Sequence, residues 1–301
     1  MTVTWTYARL TPSRDLCGTT AEEFARLVEG LAPFVEARRY ELADRPGRLR
    51  AAGAGRRPKP FWVRLFATLT MWRQGSTVRV AGKMFGVHER TIRRWRDEME
   101  EVLVAHGFFP PGATEPIRSV EDLGAYLDAV GAEAVMVDGT EIARDQPMGY
   151  QDRKAAWSGK TKDHVVKATV VADRGRRPIW FEANPSGEGR THDITMLRAQ
   201  TGLLSVLTTV AAGGLWVMGD KGYTGLHHDL GVNAVCSIPK PPGKDRSFEA
   251  RLYNRVLSSM RMPVEHAIGR LKWWRVMRHW RRPVDRFDRG GRAIAVLASM
   301  I

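Results

Sequence analysis

The sequence predicts an α/β protein, with a mixed five-stranded sheet and flanking helices preceded by a separate all-α unit. Apolar residues recur at helical spacing through much of the first 104 residues, whereas five short runs rich in β-branched and bulky residues punctuate the second half. A Pro-Pro-Gly break at 110–112 stands between these two regimes. The resulting division is an N-terminal helix and basic linker over 1–60, a helical unit over 61–108, a linker and helix over 109–130, and the α/β domain over 131–301.

The first helix is expected from Thr20 to Val35, where Phe24, Leu27, Val28 and Leu31 share one face for packing or dimerisation. Residues 43–60 mix Arg, Gly, Ala and Pro without periodicity, which predicts a flexible basic connection able to lie along a phosphate backbone. Helices are expected over 61–73, 78–85 and 90–104, the last two parted at Gly86-Val87-His88. That pair resembles a helix-turn-helix: Gly82 permits close crossing, Gly86 supplies a positive φ, and Val87, Ile92 and Trp95 pack the second helix. Its exposed start would present His88, Glu89, Arg90, Arg93 and Arg94 to a DNA major groove, the arginines reading guanine edges or gripping phosphates. The alternative is a plain three-helix packing domain.

Beyond the break, 114–130 reads as a linker and a helix, and strands are expected at 134–137, 165–172, 178–183, 215–218 and 234–238. Asp173-Arg174-Gly175-Arg176 joins the second strand to the third. Helices are expected over 193–207 and 248–280.

Three acids stand out in this frame. Asp138 and Asp220 each follow a short apolar run and read as the last residue of a buried strand, while Glu265 lies in helical sequence. Ligands of open α/β sheets bind beyond the carboxyl ends of the strands, so two aspartates leaving neighbouring strands face one cavity and a helix carboxylate closes it. Oxygen-only ligation suits a hard cation, Mg²⁺ or Mn²⁺, and a pair of such ions activates a nucleophile on one side of a phosphate while stabilising the leaving oxygen on the other. The alternative for each acid singly is a turn cap or a solvated helix residue.

In order along the chain come Asp138-Gly139-Thr140, Ser158-Gly159-Lys160 leading to His164 and Lys167, His192-Asp193, Gly219-Asp220-Lys221-Gly222-Tyr223, and the run from Glu265 to Lys272. This set resembles the DDE-type insertion-sequence transposases and their Harbinger-related relatives, over about residues 130 to 280. The resemblance implies an RNase H-like core in which Asp138, Asp220 and Glu265 are the catalytic, metal-binding carboxylates for two divalent ions. It also implies binding of transposon terminal inverted repeats, metal-dependent phosphodiester hydrolysis and strand transfer, on double-stranded DNA and by a homodimer or larger assembly. The family's helix pattern, Tyr-x2-Arg-x3-Glu-x6-Lys, is met at Arg261, Glu265 and Lys272, whereas its tyrosine position holds Ser258. Arg261 and Lys272 are thereby DNA-binding candidates, joined by Lys160 and Lys221 beside the acidic motifs. His192 and Asp193 are accessory candidates, with Asp193 expected to cap the adjoining helix.

Charge argues for the same partner class independently: 47 Lys and Arg against 33 Asp and Glu give a net +14, which favours a polyanion. Much of the excess lies after Glu265, where Trp273, Trp274 and Trp280 interleave arginines and are expected to face the core. No apolar run reaches the roughly 20 residues needed to span a bilayer, and the first ten residues lack the pattern of an export signal, so the expected setting is the cytoplasm and nucleoid. Cys17 and Cys236 have no zinc-ligand spacing and are expected to be reduced thiols. Competing expectations are a metal-dependent endonuclease that never joins strands, a domesticated DNA-binding protein without chemistry, and an inactive fragment, since Ala298 to Ile301 stand inside an apolar helical run.

Overall fold

The computed structural model describes residues 10–43 and 59–301, so most of the expected basic connection lies outside the described residues. The chain divides into two units, one running to His106 with 274–276 and Ile301 attached, the other comprising 107–273 and 277–300. The expected linker at 109–130 belongs to the second unit: Phe108 and Ile117 pair across an antiparallel bridge that ties the segment down.

In the first unit, α1 (Arg14–Cys17) precedes α2 (Ala21–Ala43), which starts where expected and runs well past Val35. Thr20 and Glu23 exchange hydrogen bonds at its start, and Phe24, Leu27 and Leu31 are buried on its inner face. Next come α3 (Phe61–Gln74), α4 (Val78–Phe85) and α5 (Glu89–His106), with Gly75 and Gly86 ending the first two in the left-handed region. A Cβ at Gly82 would lie 2.7 Å from the Val87 carbonyl oxygen, so a side chain there would push α4 off the turn that leads into α5.

The second unit holds α6 (Val120–Ala129), β1 (Ala134–Arg144), α7 (Tyr150–Ala156), β2 (Trp157–Ser158), β3 (Asp163–Ala172) and β4 (Pro178–Ala183). Then come α8 (Asp193–Ala199), α9 (Thr201–Ala212), β5 (Trp216–Gly219), α10 (His227–Leu230), β6 (Ala234–Cys236), α11 (Phe248–Trp273), β7 (His279–Trp280) and α12 (Phe287–Met300). The main path of the mixed sheet is β4-β3-β1-β5-β6, antiparallel through β4, β3 and β1 and parallel from β1 to β6. The short strands β2 and β7 attach to β3 and β1, making seven among the described residues instead of the five expected. No single helix among the described residues is long and apolar enough to cross a membrane.

Three expectations about elements are corrected. Asp138 does not end its strand: β1 continues through Gly139 to Arg144 because β3 pairs with it from Met136 to Ala143. The single helix expected over 193–207 is two helices bent by 97° at Gln200. Gln200 is buried, and its amide donates to the carbonyls of Glu182 and Ala183 while Thr169 donates to its oxygen at 2.6 Å, so the chain is pinned to the sheet where a helix would carry it past. The long helix expected to reach Trp280 stops at Trp273, since His279 and Trp280 pair with Ala143 and Arg144 of β1. Of the three tryptophans expected to face the core, Trp274 and Trp280 are buried and Trp273 is only half-buried, and Trp280 reaches the core from a strand pair outside the helix.

Pairing along β1 is uneven on its two sides. One edge is covered by β3, while the other pairs with β5 only at 134–136 and with β7 only at 143–144. Residues 137–142, which include Asp138, therefore have one strand edge free of ladder partners among the described residues.

Candidate functional site

Met136 pairs with Met218, and Asp138 and Asp220 stand two residues further along each strand direction, where that ladder has ended. Asp220 caps the short 3₁₀ turn Lys221–Tyr223, its Oδ1 accepting from the Gly222 N–H at 2.7 Å. Asp138 accepts from the Gly139 N–H at 2.8 Å through Oδ1 and from Arg261 Nη2 at 3.1 Å through Oδ2. Burial pushes the Asp138 carboxyl up to about 6; the Arg261 guanidinium opposes this, and the Asp220 and Asp193 carboxylates add to it.

Asp193 is the third acid at this centre. It is the first residue of α8, with His192 in the capping position, so the expectation that Asp193 caps the helix is off by one. Its Oδ1 pairs with Lys167 Nζ at 2.6 Å, and the same ammonium donates to the Thr191 carbonyl at 2.7 Å and lies 3.7 Å from Glu141 Oε1. Ser158 donates to the other oxygen of Glu141 at 2.9 Å. Tyr223, completely buried, has no partner for its hydroxyl among the described residues; burial raises its pKa, and Asp193, Asp138 and Asp220 add to that.

The remaining predicted residues fall into different settings. Glu265 is exposed on α11, one helical turn beyond Arg261. Arg261, expected to touch DNA, is buried on the inner side of α11 and holds Asp138 instead. Lys160 and Lys221 are exposed beside the acids. Burial lowers the Lys272 pKa, Glu141 opposes that and Lys160 reinforces it, which places these three side chains in one electrostatic neighbourhood. His192 is exposed. In the helical unit, His88 accepts from the Arg90 N–H through Nδ1 at 3.2 Å and so caps α5, and Glu89 pairs with Arg93 at 3.6 Å. Arg90 and Arg94 are exposed and make no side-chain pair among the described residues.

What sequence reasoning missed is the Lys167–Asp193 pair and the inward role of Arg261. Lys167 carried a signal: a lysine inside the apolar run Val165-Val166-Lys167-Ala168 of a buried strand requires a partner. Nothing local marks Arg261, because its partner lies 123 residues away.

The donors gathered here are hard carboxylate oxygens, and burial, more than the neighbouring carboxylates, raises the Asp138 carboxyl while Arg261 opposes it. Among the described residues no group of three His, Cys, Asp or Glu side chains is arranged to hold a metal ion. The fit is to a cation of the Mg²⁺ type, which is commonly bound by one or two carboxylates while water and substrate phosphate complete its octahedron. Carboxylates at an open strand edge with lysines around them make a centre suited to phosphate chemistry.

Residues 137–300 match the family model of the DDE superfamily endonucleases. Over 229 residues the chain is 30% identical to the probable transposase for insertion sequence element IS702 of Microchaete diplosiphon, covering 74% of either protein. No solved structure matched significantly. The chain belongs to the DDE superfamily endonucleases, among the DDE-type insertion-sequence transposases.

Proposed function

We propose that this protein binds the terminal inverted repeats of its own element, hydrolyses a phosphodiester there and joins the freed 3′-hydroxyl to target DNA. The observation that carries the reading is that Asp138 and Asp220 lie within electrostatic reach of each other just past the end of the β1–β5 ladder, in a chain of transposase ancestry. The strand order on the main path supports an RNase H-like core.

Asp138 and Asp220 would hold the divalent cations, and the family's helix pattern assigns the third carboxylate to Glu265 on α11. Mg²⁺ or Mn²⁺ bound there would supply a lowered pKa for an attacking water or hydroxyl and charge stabilisation for the leaving oxygen. The chain's own residues do the rest. Arg261 keeps Asp138 turned toward the centre and offsets part of its charge. Lys160 and Lys272, which share an electrostatic neighbourhood with Glu141, and Lys221, which follows Asp220 in sequence, would attract phosphate. The helix pair α4–α5 acts as the helix-turn-helix reader, with Arg90 and Arg94 the side chains best placed to reach DNA. Joining two element ends calls for two centres or one reused, which favours a dimer on DNA.

The test is incubation of the purified protein with labelled element-end DNA, a target plasmid and Mg²⁺ or Mn²⁺. Joined plasmid products are expected; cleaved ends that are never joined would identify an endonuclease without strand transfer.

A further inference from the structure

We infer that Asp193, held in place by Lys167, is a positioning residue that sets the spacing of Asp138 and Asp220; this rests on the proposed metal-dependent function. The β1–β5 ladder ends at Met136 and Met218, so no backbone pairing fixes the separation of the two aspartates beyond it. The Asp193 carboxylate occupies that interval. A Cβ at Gly139 would lie 2.5 Å from Asp193 Oδ1, and one at Gly222 would lie 2.6 Å from Asp193 Oδ2. Gly139 comes directly after Asp138, and the Gly222 N–H is the group that orients Asp220.

Neither glycine has a positive φ, so backbone conformation does not account for them. The close approach of one carboxylate does. Lys167 in turn fixes that carboxylate: its ammonium, on a nearly buried side chain of β3, ties Asp193 to the Thr191 carbonyl just before α8. As a neutral pair the two also bring less repulsion to Asp138 and Asp220 than a free third acid would. Asp193 thus acts as a wedge between the strand that carries one metal-binding candidate and the turn that carries the other.

Mg²⁺ demands near-ideal octahedral geometry whereas Ca²⁺ accepts flexible coordination, so a loosened pair of aspartates separates the two ions. The experiment is calorimetric titration of Mg²⁺ and of Ca²⁺ into the full chain, wild type and Asp193→Ala, with thermal unfolding of Gly139→Ala and of the Gly139→Ala/Asp193→Ala double variant. Removing the wedge is expected to weaken Mg²⁺ binding about 10- to 100-fold, the range for groups that orient metal ligands, with a smaller loss for Ca²⁺ and unchanged affinity for end DNA. Asp193→Asn, which keeps the shape and loses the charge pairing, is expected to fall between wild type and Asp193→Ala. Gly139→Ala is expected to lower the melting temperature in the wild-type background and much less in the Asp193→Ala background, where the added methyl has room. Mg²⁺ binding unchanged in Asp193→Ala, proportional losses for both ions, or equal damage from Gly139→Ala in both backgrounds would overturn the proposal. If the wild type binds neither ion, the metal-dependent reading fails, and the unfolding comparison by itself decides the wedge.

Discussion

Asp138 carries a conflict between stability and use. Its carboxyl is raised to about 6 by burial and by two neighbouring aspartates, and Arg261 offsets only part of that. Between the unfolded value near 4 and this one, the folded protein binds more protons than the unfolded chain, so stability falls as pH rises through that window. Above pH 6 the whole cost of the buried charge is present, on the order of 2 to 3 kcal/mol. Asp138→Asn is therefore expected to raise the melting temperature at pH 7.5 in the absence of divalent ions, and to remove the part of the pH dependence between 4 and 6. Thermal unfolding of both proteins across that range checks it. Divalent ions should then stabilise the wild type and leave the variant unmoved, since a bound cation would offset the half-buried charge of the ionised Asp138.

Among elements, the break between α8 and α9 shows how a single buried amide overrides a helical pattern. Gln200→Ala leaves the carbonyls of Glu182 and Ala183 and the Thr169 hydroxyl without their partner, and each buried group so orphaned costs about 1 to 3 kcal/mol. Denaturant unfolding is expected to show a lowered midpoint with that order of loss. In the helical unit, Gly82→Ala forces a methyl against the Val87 carbonyl and is expected to weaken binding of element-end DNA while Mg²⁺ binding persists. Fluorescence anisotropy and calorimetry separate the two effects. Elements written locally were legible: Gly86 marks the end of α4, and β-branched runs mark β3 and β4. Those set by distant partners were not. Asp138-Gly139 has the chemistry of a turn, yet β3 holds it in a strand; Trp280 has helical spacing, yet β1 takes it as an edge pair. The site divides in the same way. Asp138 and Asp220 can be picked out as the acids that follow apolar runs, whereas the inward turn of Arg261 and the placement of Asp193 depend on packing between elements far apart in sequence.

Over the whole molecule, a net charge of +14 and a small cluster of half-buried carboxylates would, under the proposed function, answer two different needs. Under the proposed function the excess cations would draw in DNA, and the acids would be reserved for the divalent ions that act on it. Only the second need depends on Asp138 and Asp220 acting together. The most direct test is cleavage of element-end DNA in Mg²⁺ by the wild type and by Asp220→Asn, with DNA affinity measured on the same preparations. Equal DNA binding with cleavage by the wild type alone is predicted; cleavage by Asp220→Asn at the wild-type rate would contradict the account.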